Sequence, residues 1–484
     1  MPYYAGLWPH ATDSEQDKLR KRKIAEDLER LRTALADHFK AHRDGDVVRE
    51  GCVRIGTWNL RDFGKEHRGE RLEEAIYFIA EIISNFDVVA LQEVYRDLRA
   101  FTRLRRVLGS GWDFIMTDAT TSTRGNDERM VFLFKTSAVH STNLAGEISL
   151  ADDKRLMLPN SFDYAPDGGP LLRLPPGGTI AQPNPSDVHY KSRSNNTKLD
   201  QEVVLNLPSG AQVTLPDGAE LVFKGDAADL KTDSTFDLKS GADRQFGAGA
   251  YIRIPPQSMF TEDLNLARSP FLVGFQSRWL RFSLCTTHIY YGSNDAGLKL
   301  DRREEEIRHL AQALGDKASD AHDSDASSFF LLLGDFNIVG HDHGTMAALE
   351  TSGFKVPKAI RTLPKGSNVA GNKFYDQIAV WEGEPGREIR MRDYASIAVA
   401  GAGVFDYYDY VFREGAKDPG GVDEAYYKQR MQEQVDTGKA GQVYAQYKDW
   451  RTYHMSDHLP MWLELRTDFA DDYLGQALKA LGAQ

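Results

Sequence analysis

The chain has 484 residues, of which 41% are hydrophobic and 27% charged, and this balance excludes a disordered protein. Its 59 basic and 71 acidic residues give a net charge of -12, which excludes a strongly basic nucleic-acid coat protein but not an enzyme that contacts nucleic acid locally. No apolar run is long enough to span a membrane and no signal peptide is recognisable, so we expect a cytoplasmic protein, with export by another route left open.

The first predicted element is a helix over residues 13–43. Leu28, Leu31, Leu35 and Phe39 follow one another at spacings of 3, 4 and 4, which gives one apolar stripe on a helix. The stripe either packs on the main domain or binds a partner protein.

The two cysteines, Cys52 and Cys285, both lie in apolar, strand-like runs. Two cysteines cannot build a disulfide scaffold, and thiols in such runs are typical of a buried core. We therefore predict two buried free thiols and a protein of a reducing compartment.

From residue 52 onward, short apolar runs alternate with helical stretches. Eight runs have the length and composition of buried strands: Val53–Trp58, Val88–Gln92, Met130–Phe134, Phe271–Phe275, Arg281–His288, Phe329–Asp335, Gln377–Trp381 and Met461–Leu465. Helical spacing of apolar residues predicts helices over 71–84 and 301–314. This alternation favours an α/β sandwich, in which two sheets pack together under outer helices.

Two segments look inserted into this pattern. Residues 150–262 are rich in Pro, Gly, Asp and Ser and predict a small β-rich subdomain, whereas residues 413–450 are polar and helical. The predicted parts are an N-terminal helical extension (1–50), the first part of a catalytic sandwich (51–149), the inserted subdomain (150–262), the second part of the sandwich with its helical insertion (263–467) and a tail helix (468–484).

Two polar residues at strand ends could bind a cation. Asn59 follows the first apolar run, and Glu93 follows the second. A carboxylate directly after a buried strand is unfavourable unless something pairs with it, and hard divalent cations prefer such oxygen ligands. Alone, Asn59 is more typical of a turn, and Glu93 is equally compatible with an arginine partner.

Arg129 and His288 lie at the ends of two further strands. Arg129 precedes an apolar run and could bind a phosphate, although an ordinary strand-edge arginine fits as well. His288 ends the run 281–288, where an imidazole can act as general acid or donate to a phosphoryl oxygen. Asp118 ends the earlier run 112–118 and could orient His288. Alone, His288 is more typical of a hydrogen-bonded histidine in a core.

The strongest single cluster is Gly334-Asp335-Phe336-Asn337, which follows five large apolar residues. The spacing of two places Asp335 and Asn337 on one side if the strand continues, and Gly334 permits a close backbone approach. These features favour a functional site over an ordinary strand end.

An Asp-His pair, Asp457 and His458, opens the last predicted strand. It is typical of a general base or of a combined metal and base, with a capping Asp beside a surface His as the alternative. Asp376 begins another strand and is well placed to hold the second nitrogen of a histidine.

Together these residues offer oxygen ligands for a hard cation, two imidazoles and orienting carboxylates. The sequence shows no cysteine cluster for zinc, no glycine-rich nucleotide loop and no GxSxG serine elbow. A Mg²⁺ or Mn²⁺ ion beside a histidine base suits attack of water on a phosphate ester. The polar loop 340–344 either binds a second metal or caps the helix that follows it.

The order of these motifs resembles the endonuclease/exonuclease/phosphatase superfamily and, within it, the deoxyribonuclease I branch. The matching motifs are WNLRDFG (58–64), LQEV (91–94), ERMVFLF (128–134), TTHI (286–289), GDFN (334–337), YDQI (375–378) and SDHLP (456–460). The resemblance implies a four-layered α/β/β/α sandwich that hydrolyses DNA phosphodiesters to 5′-phosphate and 3′-hydroxyl ends.

The resemblance also implies a metal site. Asn59 and Glu93 would hold the divalent cation with Asp457 nearby, while Asp335 and Asn337 would orient the nucleophile and stabilise the transition state. The cation would be Mg²⁺ or Mn²⁺, and the resemblance allows a structural Ca²⁺ in addition.

Two histidines complete the site that the resemblance implies. His288, steered by Asp118, and His458, steered by Asp376, would flank the scissile phosphorus as acid and base. Arg129 would contact the substrate phosphate.

The chain departs from the deoxyribonuclease branch in four ways. The branch usually steers its first histidine with Glu, where Asp118 is one methylene shorter. It places an arginine two residues after the metal-binding glutamate, where this chain has Tyr95 followed by Arg96. Branch members are usually secreted with disulfides, whereas this chain shows neither mark. The insertion 150–262 and the N-terminal helix have no counterpart in the family core.

We expect DNA as the substrate, no contact with a membrane, and a protein partner, if any, at the N-terminal helix or the insertions. The first alternative is the same chemistry on a small substrate such as an inositol phosphate or a phospholipid headgroup. The second is a binding protein that uses a catalytically silent form of the fold, against which the completeness of the polar set argues.

Overall fold

The computed structural model describes residues 2–147 and 268–482 with short gaps, together with isolated strands between residues 162 and 253. The gaps are residues 44, 46, 66–68, 120–126, 290, 292–297, 325–327, 384–398, 438–445 and 469. The chain divides into two compact units: residues 1–149, 266–294 and 306–484 form the larger one, and residues 150–265 and 295–305 form the smaller.

The larger unit contains two six-stranded mixed sheets. The first sheet has, in spatial order, the strands Val399–Val404, Met461–Arg466, Cys52–Phe63, Val88–Val94, Arg129–Lys135 and Trp112–Met116. The second has the strands Phe354–Lys355, Asp376–Trp381, Ser328–Asp335, Leu280–His288, Phe271–Ser277 and His140–Glu147. All eight predicted strands are present, and the four strands that the sequence did not predict are the four sheet edges.

Helices cover the outer faces of the sheets. The α-helices in the described part of the chain are Glu15–Ala41, Glu73–Ile83, Arg99–Leu108, Leu298–Ser324, Gly344–Leu349, Lys358–Arg361, Val422–Asp436, Tyr447–His454 and Ala470–Ala480. Short 3-10 helices span Ala5–Leu7, Arg49–Gly51, Tyr407–Asp409 and Gly415–Lys417. Among the described helices, none is both long and apolar enough to cross a membrane.

Two apolar clusters hold the layers together. The strand Cys52–Phe63 shows why, because Val53 and Ile55 point between the sheets, whereas Trp58 and Leu60 point toward the outer helices. The inner cluster joins the facing sides of both sheets and continues to the helices on the second sheet, and the outer cluster joins the first sheet to its helices. The result is the four-layered α/β/β/α sandwich that the sequence predicted.

The N-terminal helix, Glu15–Ala41, buries its apolar stripe within the outer cluster. Leu28, Leu31, Leu35 and Phe39 are each at most 4% exposed. Its start has a capping box, in which the Ser14 side chain and the third helical residue exchange hydrogen bonds with the backbone. The packing interpretation of the stripe therefore holds, and the stripe offers no surface to a partner. The two cysteines are buried free thiols, as predicted.

The smaller unit contains two antiparallel sheets. One has four strands: Gln212–Leu215, Val203–Asn206, Thr179–Ala181 and Arg244–Gln245. The other has five strands: Phe162–Ala165, Gly169–Arg173, Tyr251–Arg253, Glu220–Val222 and Asn196–Lys198. Most of the segment 150–200 lies outside the described residues.

Candidate active site

Strand register in the second sheet brings three predicted side chains together. His288 pairs with Asp335 on a parallel neighbour, and Asp335 pairs with Asp376 on the antiparallel strand beyond. All three are buried. The carboxyl end of one strand thus places a carboxylate between a histidine and a second carboxylate.

The first sheet adds a polar row that faces the second. The inward row of the strand Cys52–Phe63 continues through Thr57 to Asn59, beside Gln92 on the parallel neighbour. The Gln92 side-chain nitrogen donates to the hydroxyls of Thr57 (3.1 Å) and Thr286 (2.9 Å), and Thr286 belongs to the second sheet. A hydrogen-bonded bridge therefore ties the sheets together beneath the site.

The backbone leaves regular strand geometry at the site. Glu93 and Asn337 adopt left-handed conformations, with φ of 59° and 53°, which few non-glycine residues adopt. Gly334 has φ of 140°, and a Cβ there would lie 2.2 Å from the carbonyl oxygen of Thr287, so only glycine fits. Strained backbone of this kind clusters at functional sites.

The strand ends at Asp335, so the condition under which Asn337 would share a side with Asp335 is not met. The backbone N–H of Asn337 donates to Asp335 Oδ1 (3.0 Å), and its side-chain amide donates to the carbonyl of Ile289 (2.8 Å). The left-handed turn thus places the backbone N–H of Asn337 so that it holds the Asp335 carboxylate.

Asn59 joins two of the site carboxylates. Its side-chain nitrogen donates to Glu93 Oε1 (2.9 Å) and to Asp335 Oδ2 (3.0 Å), while its oxygen accepts from the N–H of Arg61 (2.9 Å). The sequence predicted instead that the side-chain oxygen of Asn59 binds a cation. The amide would have to rotate by half a turn for Asn59 to ligate a cation beside Glu93.

Glu128, and not Asp118, holds His288. Its Oε2 lies 2.8 Å from His288 Nδ1, and the contact crosses from the first sheet to the second. Asp118 lies beyond the sheet-edge strand, with a side chain that is 96% exposed, and it lies 3.7 Å from Arg129. The prediction for Asp118 was therefore wrong, because an edge position leaves its carboxylate in solvent.

A buried arginine that the sequence did not predict contacts both Glu128 and His288. Arg268 donates to Glu128 Oε1 (2.7 Å) and to the backbone carbonyl of His288 (3.2 Å). The charges of His288 and Arg268 outweigh the effect of burial and lower the pKa of Glu128 to about 2. The ERM motif contained Glu128 next to Arg129, but no local pattern pointed to Arg268.

His458 has a separate carboxylate, as predicted. Its Nδ1 lies 2.8 Å from Asp376 Oδ2. Its Nε2 lies 3.6 Å from Asp335 Oδ2, and the Nε2 of His288 lies at the same distance from that oxygen. The two imidazoles therefore converge on one atom of Asp335, as the predicted site required.

The charges at this point shift the pKa values of both imidazoles and of Asp335. Burial alone would lower the pKa of His458, but Asp376 and Asp335 raise it well above its usual range. The pKa of His288 is also raised, because Glu128 and Asp335 outweigh burial and the charge of Arg268. The two histidines in turn hold the pKa of Asp335 below its usual range.

Two predicted residues lie at the rim. Arg129 donates to the backbone carbonyl of Tyr95 (3.1 Å), with a side chain that is 15% exposed. Asp457 has a half-exposed side chain, 3.8 Å from Arg61. Both side chains are partly exposed to solvent, and neither touches the imidazoles through a described contact.

The oxygen donors suit a hard divalent cation. Glu93 and Asp335 converge on one amide nitrogen, and burial raises the pKa of Glu93, which an adjacent cation would reverse. Asp335, Asp376 and His458 also offer donor atoms within 4.8 Å of one another. A cation bound by that trio would have to break the His458–Asp376 hydrogen bond, so Glu93 is the better anchor.

The described residues contain no second group of this kind, so the structural Ca²⁺ stays a prediction. In the loop 340–344, His343 Nδ1 accepts from the N–H of Thr345 (3.1 Å) and caps the helix Gly344–Leu349. The capping interpretation of that loop is therefore confirmed.

A four-layered sandwich with paired imidazoles and oxygen donors at its strand ends defines a hydrolase of phosphoesters. The chain belongs to the Endonuclease/Exonuclease/phosphatase family, whose model matches residues 56–422. No curated protein matches the sequence.

Several solved structures are similar to the chain. A mannosyl-6-phosphatase of Bacteroides thetaiotaomicron is 12% identical, with 85% of this chain and 99% of that one covered and a TM-score of 0.39. TDP2 of D. rerio, complexed with a single-strand DNA product, is 9% identical over 86% and 98%, with a TM-score of 0.37. The human Nocturnin catalytic domain is 12% identical over 87% and 96%, with a TM-score of 0.38.

Proposed function

We propose that this hydrolase is a DNA endonuclease that uses Mg²⁺ or Mn²⁺ and leaves 5′-phosphate and 3′-hydroxyl ends. The observation that carries the proposal is the pair of imidazoles 3.6 Å from one Asp335 oxygen, each held by its own carboxylate. Two such imidazoles can act on either side of one phosphorus, where one donates a proton to the leaving oxygen and the other accepts one from water.

The remaining polar groups have complementary roles. Glu93 and Asn59 would hold the cation, with Asp457 at the rim, and a bound divalent cation stabilises charge on the phosphoryl oxygens. Asp335 lies between the imidazoles and can orient the attacking water. Asn337 keeps Asp335 in place through its backbone N–H.

Two features support DNA as the substrate. Glu128 holds His288 with the type of carboxylate that the resemblance associates with the deoxyribonuclease branch. Arg96 is 57% exposed and pairs at 2.8 Å with Asp127, the chain neighbour of Glu128. Exposed ion pairs are weak, so Arg96 can exchange Asp127 for a DNA phosphate beside the His288 side of the site.

The test is a substrate panel with and without EDTA. Supercoiled plasmid, single-stranded DNA, RNA and inositol phosphates are incubated with Mg²⁺-loaded protein, and nicked plasmid is then treated with DNA ligase without a kinase. We expect metal-dependent nicking and resealing by the ligase, because ligation needs a 5′-phosphate and a 3′-hydroxyl.

The His458→Ala variant serves as the inactive control, and His140→Ala, which changes an exposed histidine outside the site, serves as the matched active one. Release of inorganic phosphate from a phosphomonoester with plasmid left intact would favour the small-substrate alternative. Nicking that EDTA leaves unchanged would contradict the metal site.

A further inference from the structure

Arg268 holds both the carboxylate and the main chain of one histidine. Its Nη2 donates to Glu128 Oε1 (2.7 Å), and its Nη1 donates to the carbonyl oxygen of His288 (3.2 Å). The Arg268 and Glu128 side chains are 7% and 1% exposed. One guanidinium therefore contacts His288 directly at its backbone and indirectly at its ring.

The two oxygens of Glu128 are divided between these partners. Oε1 accepts from Arg268, and Oε2 lies 2.8 Å from the Nδ1 of His288. A rotation of the carboxylate would break both contacts at once, so Arg268 fixes the orientation of Glu128. That orientation in turn directs the Nε2 of His288 toward Asp335, at 3.6 Å.

The buried pair is poorly explained by stability alone. Removing two charges from water is unfavourable, and a buried ion pair often contributes less to stability than apolar side chains of the same volume. Positioning of the His288 imidazole would explain why Arg268 and Glu128 are buried as an ion pair. Arg268 is also committed to two partners and almost wholly buried, which argues against direct contact with the substrate.

We propose that Arg268 is a positioning residue that affects turnover only through Glu128 and His288. The inference rests on the proposed function, because it requires His288 to take part in the reaction. Loss of Arg268 should leave substrate binding intact and misplace the imidazole in the transition state.

The test is a double-mutant cycle of Arg268→Met and His288→Ala, measured by plasmid nicking at saturating Mg²⁺. We expect Arg268→Met alone to lower kcat by roughly 10–100-fold, as loss of a group behind a functional side chain commonly does. KM should stay within about threefold, because a transition-state effect leaves ground-state binding unchanged. In the His288→Ala background, Arg268→Met should lower kcat by less than about threefold, since residues that act as a unit are not additive.

Two further variants separate positioning from folding. Arg268→Lys keeps the charge but loses the fork, so it should recover part of the lost kcat; it also replaces Arg268→Met in the cycle if the latter fails to fold. Arg54→Met removes another buried arginine, which is ion-paired with Glu464. Arg54 lies near the start of the strand Cys52–Phe63, away from the site, so this change should leave activity per folded molecule unchanged.

Multiplied losses in the double variant, a raised KM at unchanged kcat, or full activity of Arg268→Met would overturn the inference. If His288→Ala is itself fully active, the proposed function fails first. The two failures are therefore distinguishable within one set of proteins.

Discussion

The two imidazoles are held by carboxylates in unlike surroundings. Glu128 has Arg268 behind it, and its pKa is lowered to about 2. Asp376 lies 2.8 Å from His458 with no described ion pair to an arginine or lysine, and burial raises its pKa.

The pKa of both imidazoles is raised, but the neighbouring charges that act on the two differ in sign. The charge of Arg268 works against protonation of His288, whereas the charges that act most strongly on His458 are negative. Imidazoles in such unlike surroundings are suited to different roles, one as acid and one as base, in the same reaction. Substitutions in the two pairs can show whether the pairs are distinct in function.

The largest effect is expected on removal of either imidazole. His288→Ala and His458→Ala should each lower kcat by roughly 10²–10⁴-fold, because each removes a general acid or base. Plasmid nicking measures the loss, and thermal unfolding verifies that the variants fold. Near-wild-type turnover in one variant would show that only the other histidine and its carboxylate take part in the reaction.

Glu93 tests on which side of the site the metal binds. The Glu93 carboxylate lies 3.9 Å from His288, so Glu93→Gln should raise the Mg²⁺ concentration needed for half-maximal activity by about 10-fold or more. A titration of activity against Mg²⁺ gives the value, with His140→Ala as the control. A lower kcat at unchanged Mg²⁺ requirement would instead favour the trio of Asp335, Asp376 and His458.

The carboxylates behind the imidazoles should move different limbs of the pH profile. Glu128→Gln and Asp376→Asn each remove a negative charge that raises the pKa of the attached histidine, so each exchange lowers that pKa. The limb of kcat/KM that the histidine controls should shift to lower pH, with kcat reduced by roughly 10–100-fold. A shift of the same limb in both variants would contradict separate roles.

The smallest effect is expected at Asp118. Because its carboxylate is exposed and 3.7 Å from Arg129, Asp118→Asn should change kcat by less than about twofold. Glu128→Gln, measured beside it, is the matched comparison. Equal losses in the two variants would restore Asp118 as a partner of His288.

The interior of the sandwich was more predictable than its edges. All eight predicted strands lie within the sheets, and the four missed strands, Trp112–Met116, His140–Glu147, Phe354–Lys355 and Val399–Val404, are sheet edges. Strands buried on both faces have apolar runs that stand out in a sequence, whereas edge strands are short or more polar.

The site shows the same division. His288, Asp335, Asp376 and His458 end, begin or precede apolar strands, so their types and order were enough to predict that they meet at one edge of the sandwich. The sequence pattern did not reveal that the strand ends at Asp335 or that Asn337 is left-handed, and these features decide how Asn337 contacts Asp335.

By itself, the sequence determined the layered α/β class, the order of the polar residues and the family, because buried strands and the polar residues at their ends leave local patterns. Tertiary structure alone decided that Glu128 and Arg268, separated from His288 by 160 and 20 residues, hold its ring and backbone. That choice depends on which segments of the two sheets face each other across the core, and packing between sheets leaves no period in the chain.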